Sequence, residues 1–209
     1  FINDKKTKYK TSFYYDINDN KDKKHDRLIF NLSNNQKLIY NDVRKFGFVK
    51  LLKFDCVQKN FHLKNLGPEP LKQDFNFNYV KKYVSGKKRN VKNVMMDQKF
   101  VSGLGNIYVN EILFYSGVKP TRKAKNLKSF EIIKIIKFTK KILTNAINLG
   151  GSSIKDFSSE NGKKGNFQQH FKVYGKKEEK CSNADCKGAI KKIVLSNRAT
   201  FYCSQCQKY

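Results

Sequence analysis

Four of the five cysteines crowd into the last 30 residues, and their spacing limits how that end of the chain can fold. Cys181 and Cys186 form a C-x4-C pair, 16 residues follow, and Cys203 and Cys206 form a C-x2-C pair. Two knuckles so separated can set four thiolates tetrahedrally around one Zn²⁺. Between them, residues 189–195 (AIKKIVL) and 199–202 (ATFY) read as two strands, which predicts a β-hairpin zinc finger. Four protein ligands leave no open coordination position, so such a zinc is structural rather than catalytic. The bland alternative is four unliganded thiols. The first residues, FINDKKTKYK, lack the apolar core of an export signal, which favours a metal site over a disulfide framework. They also lack an initiator Met, and the true start is expected to lie upstream.

The chain has 209 residues and a formal charge of +27. Residues 1–75 hold 16 basic and 9 acidic side chains, and the remainder hold 28 and 8, so the excess sits in the second part. That balance suits a polyanionic partner, although a Lys-rich background of solvated side chains would also produce it. No apolar run approaches the ~18 residues of a membrane span.

The first 56 residues read as β structure. Residues 8–17 suit a strand, 16–22 a polar turn, and RLIFNL (27–32) and KLIY (37–40) a hairpin turning at Asn34-Asn35. FGFVKLL (46–52) predicts a further strand. LGPEPL (66–71) reads as an ordered linker, after which helical periodicity takes over at 77–84, 94–100, 107–115 and 130–149. In the last helix Phe130, Ile133, Ile136, Leu143 and Ile147 are expected to share the buried face. Residues 150–170, rich in Gly, Ser and Lys, read as a loop.

Three short stretches carry chemistry. In SGLGNIY (102–108) the glycines allow a sharp turn that aims amides at an anion, with Asn106 as a further donor; plain helix–helix packing explains them equally well. In NDVRKFG (41–47), Arg44 and Lys45 beside Phe46 would give two cations and a wedge able to kink duplex DNA, although Phe46 alone reads more readily as core. Arg198, in SNRAT at the turn of the cysteine hairpin, is either a solvated arginine or a guanidinium offered to phosphate.

Taken in order, NDVRKFG, LGPEPL, MMDQKFVSGLGNIYVNEILF, GKKGNFQQHFKVYG and NRATFYCSQCQK resemble the bacterial formamidopyrimidine-DNA glycosylase family from about His25 to Lys208. The resemblance implies an α+β protein with three parts. These are the remainder of an N-terminal β-sandwich (1–65), a helix–two-turn–helix domain with its lesion loop (66–172), and a β-hairpin zinc finger (173–209). It implies removal of oxidised purines from damaged duplex DNA by base flipping, followed by Schiff-base β,δ-elimination, in a monomeric, cytoplasmic, nucleoid-associated bacterial enzyme. His25, Lys87, Lys92, Asn106 and Lys163 then match DNA-contacting positions. Arg44 and Lys45 flank the wedge Phe46, Arg198 assists elimination, and the four cysteines hold zinc. Endonuclease VIII is the close relative with a taste for oxidised pyrimidines, and a non-catalytic DNA-binding module is the alternative class. Val43 stands where the family usually has Pro, and Cys181–Cys186 is a longer knuckle than is common. The family's nucleophile, a proline opening a PELPE-type start, has no counterpart here, nor does a lysine from an early strand. The 209 residues alone are therefore expected to bind duplex DNA without being trapped on it by borohydride.

Overall fold

The computed structural model describes residues 2–3, 23–152 and 166–208. The strand expected at 8–17 and the turn at 16–22 lie outside the described residues, as does most of the 150–170 loop. Two compact units organise the chain: Phe1–Lys53 with Asn148–Gln169, and Phe54–Ile147 with His170–Tyr209.

In the first unit, β1 (Ile2–Asn3), β2 (Asp26–Asn31) and β3 (Gln36–Asn41) form an antiparallel sheet in the order β1-β3-β2. The β2–β3 hairpin pairs Ile29 with Ile39 and turns at the expected asparagines. Asn35 takes the left-handed conformation at φ 58°, which asparagine tolerates better than most residues. The Asn34 carboxamide secures the turn by accepting the Gln36 amide at 3.2 Å. The strand expected over 46–52 does not form; this apolar run stays outside the ladder, with Phe46, Phe48, Val49 and Leu51 exposed. β propensity makes a strand only where a neighbouring edge offers pairing and cover.

The second unit is helical, with a hairpin at its end. After a single turn, α1 (Phe61–Lys64), come α2 (Phe77–Val84), α3 (Val91–Met95), α4 (Asn106–Ser116) and α5 (Ser129–Asn148). Asn60, Asn76 and Asn90 start α1, α2 and α3, their side chains accepting the otherwise orphaned amides of His62, Tyr79 and Asn93. Helix α3 begins earlier and ends earlier than the expected 94–100. The Asp97 carbonyl takes the Phe100 and Val101 amides, and its carboxylate takes the Lys99 amide at 3.0 Å, which folds the chain into a turn. Gly117 ends α4 at φ 71° with a left-handed cap.

Helix α4 is buried on nearly every side, including Asn110 and Glu111, so it forms the axis of this unit. The LGPEPL segment packs tightly against the turn that precedes this helix. The Gly67 amide bonds the Gln98 carbonyl at 2.8 Å, and a Cβ on Gly67 would come within 2.5 Å of the Phe100 backbone. At the chain's end β4 (Ile190–Leu195) and β5 (Arg198–Cys203) make a two-stranded hairpin. Its cysteines join Phe114 of α4, Val173, Ile190 and Phe201 in one apolar cluster.

Helix α5 corrects one expectation. Its buried face is Glu131, Ile132, Ile135, Thr139, Ile142 and Ala146, whereas Phe130, Ile133 and Ile147 are exposed. The buried face also takes in polar residues: Glu131 is buried because its carboxylate pairs with the Arg122 guanidinium and accepts the Lys128 amide. The expected stripe lies one residue, about 100°, round the helix from the buried one, which leaves Ile136 and Leu143 half-buried at the border between them. Ile135→Ala should then cost about 2–5 kcal/mol in urea unfolding. Ile133→Ala should stay within about 0.5 kcal/mol of the parent. Equal costs would return the buried face to the expected one.

Candidate nucleic-acid interface and metal centre

The expected site residues fall into three groups. The first occupies the segment after β3, where Asp42 organises the NDVRKFG loop. Its carboxylate accepts the amides of Arg44 at 2.9 Å, Lys45 at 3.0 Å and Gly47 at 2.8 Å, and the Tyr40 hydroxyl at 3.3 Å. These donors, the Gly47 amide foremost, hold the Asp42 carboxyl below its ordinary pKa. The loop is drawn so tight that Lys45 sits at φ 56°, and a Cβ on Gly47 would collide with the Tyr40 hydroxyl. Phe46 is 77% exposed at the loop tip, which overturns its reading as core, and the Arg44 guanidinium lies 4.7 Å from its ring centre. His25 anchors the other end of the hairpin, its carbonyl accepting the Asp42 amide at 2.9 Å.

The second group gathers on the hairpin. Lys92 of α3 is fully buried. Its ammonium donates to the Ala199 carbonyl at 3.0 Å and to the Thr200 hydroxyl at 2.6 Å. Burial, reinforced by the nearby Arg198, brings its pKa down to about 8. Asn106, at the start of α4, donates to the same Ala199 carbonyl at 3.0 Å. Asn93 reaches the Ser196 hydroxyl at 2.7 Å, and Asn110 accepts the Phe201 amide at 2.7 Å. Ser196 and Asn197 both have positive φ, at 47° and 57°, making a tight two-residue turn. Arg198, the first residue after it, is exposed. Lys92 and Asn106 therefore both reach the backbone beside Arg198, but Lys92 gives its donors to the protein rather than to solvent.

Lys87 stands elsewhere, exposed just beyond α2, its ammonium 5.0 Å from the Tyr83 ring. Lys163 lies outside the described residues.

The third group is the cysteines. The four Sγ atoms lie within 4.8 Å of one another, with Cys181 and Cys206 3.7 Å apart and Cys186 and Cys203 3.6 Å apart. Four sulfurs held about 2.3 Å from a central zinc would be separated by about 3.8 Å, so the set has the size of a metal cage. The Gly188 amide and the Asn183 carboxamide donate to Cys186 and Cys206, as donors around metal-bound thiolates do. Without a cation, burial pushes the Cys181 thiol up to about 12, whereas the Gly188 amide draws Cys186 down. The cluster can hold a metal ion.

Sequence reasoning passed over Asp42, Asn93, Asn110, Glu111 and Thr200. Glu111 accepts the amides of Lys172, Val173 and Tyr174 at 2.9–3.0 Å and so ties the entry of the cysteine module to α4. Burial raises its carboxyl pKa, and the three amides oppose that rise. Asn110 and Glu111 had a visible signal: two polar residues inside an otherwise apolar helical run.

The second unit is thus a helical unit with a sharp glycine turn, closed by a four-cysteine hairpin. The profile of the formamidopyrimidine-DNA glycosylase H2TH domain matches residues 66–158. A formamidopyrimidine-DNA glycosylase of Ruegeria pomeroyi is 40% identical over 185 residues, covering 88% of this chain and 65% of the relative. One of Rickettsia conorii is 41% identical, covering 90% of this chain and 67% of the relative. Among solved structures, the Lactococcus lactis Fpg bound to abasic-site DNA superposes with a TM-score of 0.82 at 36% identity, over 95% of this chain and 72% of that one. MutM bound to DNA containing carbocyclic 8-oxo-G gives 0.78 at 37% identity, over 88% of this chain and 66% of that one. The chain belongs to the formamidopyrimidine-DNA glycosylase family. It spans about 65% of the length of the first curated relatives it matches. Among the described residues no helix is long and apolar enough to cross a membrane.

The wedge loop yields a test confined to one carboxylate. Because Asp42 is held below its ordinary pKa, the loop should keep its shape at neutral pH. It should loosen only as pH falls below the ordinary aspartate value of about 3.9. In NMR exchange measurements the Arg44, Lys45 and Gly47 amides should be protected in the parent and lose that protection in Asp42→Ala. A carboxyl midpoint at or above the ordinary value would remove Asp42 as the loop's organiser.

Proposed function

We propose that this chain supplies the DNA-gripping part of a base-excision-repair glycosylase and AP lyase acting on oxidised purines in damaged duplex DNA. The observation that carries the reading is Arg198, exposed at a tight turn that side chains of α3 and α4 hold in place. A guanidinium so presented is suited to grip phosphate at a flipped nucleotide and to assist the later elimination. A base inside a stacked duplex is out of reach, so it must be extruded before its glycosidic bond can be attacked. Phe46 would fill the gap left behind, with Arg44 facing the unpaired partner base and Lys45 beside it. His25, Lys87, Asn106 and Lys163 would contact the backbone. The parts 1–65, 66–172 and 173–209 are the functional division of this reading, and a monomer working on nucleoid DNA in the cytoplasm is its setting.

Zinc completes the proposal. Cys181, Cys186, Cys203 and Cys206 would hold one Zn²⁺, and the small mutual separation of their sulfurs supports the fit. When bound, the ion supplies folding free energy to the hairpin rather than chemistry, because four protein ligands close its coordination. Elemental analysis of protein purified without chelator should find about one zinc per chain. A metal-free protein with a fully ordered hairpin would refute the assignment.

Binding to a fluorescent duplex carrying a tetrahydrofuran abasic-site analogue, compared with its intact counterpart, tests the reading directly. The parent should prefer the abasic duplex. Phe46→Ala should reduce that preference by about tenfold, since stacking on an aromatic ring is worth about 1–3 kcal/mol. Equal affinity of the parent for both duplexes would end the lesion-recognition reading.

A further inference from the structure

We propose that Lys92 is a positioning residue that acts on DNA through Arg198, holding the hairpin turn from inside rather than touching phosphate itself. The inference rests on the DNA-binding reading above and changes the part that Lys92 plays in it. A phosphate-gripping lysine needs a free ammonium at the surface, but Lys92 has 0% exposure. Its ammonium is bound to the Ala199 carbonyl at 3.0 Å and to the Thr200 hydroxyl at 2.6 Å. The Thr200 hydroxyl in turn donates to the Arg198 carbonyl at 3.2 Å. A proton-donating chain therefore runs from the ammonium through Thr200 to the backbone of the arginine. Ammonium and hydroxyl together pin two consecutive carbonyls, those of Arg198 and Ala199. Thr200 is fully buried, so nothing in solvent can substitute for either bond.

Three neutral side chains complete the hold. Asn93 bonds Ser196 on the turn, Asn106 shares the Ala199 carbonyl, and Asn110 takes the Phe201 amide. The turn is thus fastened on both sides of Arg198, and the guanidinium is the part left exposed. Hydrogen bonds from a cation are stronger than neutral ones, so removing Lys92 should loosen the fastening more than removing a single asparagine would. A pKa of about 8 leaves the ammonium mainly protonated at neutral pH, as the donor role requires.

A double-mutant cycle on the tetrahydrofuran-containing duplex decides the matter. Lys92→Met should weaken binding on the order of tenfold in the parent. It should weaken binding by less than about twofold when Arg198 is already alanine, because residues acting as one unit are not additive. Arg198→Ala should lower the slope of log K against log salt by about one, and Lys92→Met should leave that slope nearly unchanged. Thr200→Val cuts the link to the Arg198 carbonyl while keeping the ammonium. It should reproduce the Arg198-dependent loss, and it carries the cycle if Lys92→Met does not fold by circular dichroism. Additive losses, a slope lowered by about one in Lys92→Met, or an unaffected Thr200→Val would overturn the proposal. Failure of the parent to bind the duplex would instead remove the DNA-binding reading on which it stands.

Discussion

A single buried carboxylate does much to hold the second unit together. Glu111 sits in the middle of α4 with 1% exposure and accepts three successive amides from residues 172–174. A charged group so placed is destabilising unless its hydrogen bonds are complete, and here the chain entering the cysteine module supplies them. The helix and the module are thereby tied at one end by Glu111. One position earlier, Asn110 ties the same helix to β5 through the Phe201 amide. Adjacent helical residues point about 100° apart, so consecutive polar side chains can reach two different segments of backbone.

The side chains that fasten the hairpin turn have a common electrostatic character. From α3 and α4 they are three asparagines and a lysine, and none is anionic. A carboxylate could take the place of Asn110, which accepts the Phe201 amide, but not of Asn106, which has to donate to the Ala199 carbonyl; and any carboxylate here would place a negative charge near Arg198 and weaken its field. Neutral amides fasten the turn without that effect. The acidic residues this unit buries are directed away from the turn: Glu111 at residues 172–174, and Glu131 at the Arg122 guanidinium and the Lys128 amide.

Much of this was legible in the residues. Helix α2 and the hairpin lie where periodicity and turn residues put them, and the glycine stop of α4 follows from the left-handed backbone at Gly117. The cysteine spacing foretold the cluster. What escaped was polar burial. Glu131 and Thr139 in α5 belong to the buried face, which lies about 100° round the helix from the stripe that the sequence suggested. Lys92 was read through the resemblance as a cation in contact with DNA, because a partner more than a hundred residues away is invisible to local pattern. The run at 46–52 has strand-like residues but no pairing edge, and strand formation depends on neighbours that the segment does not itself encode.

Gly67 carries a consequence for how the family can vary in length. Segments rich in proline between structural parts are ordinarily where insertions and deletions accumulate. Here the glycine backbone lies against that of Phe100, and the Ser102 amide bonds the Pro68 carbonyl at 3.1 Å. An added residue would push the segment out of register with the glycine turn that precedes α4. The stretch that composition marks as a spacer is thus a fixed ruler, and length changes tolerated in this unit must fall in other loops.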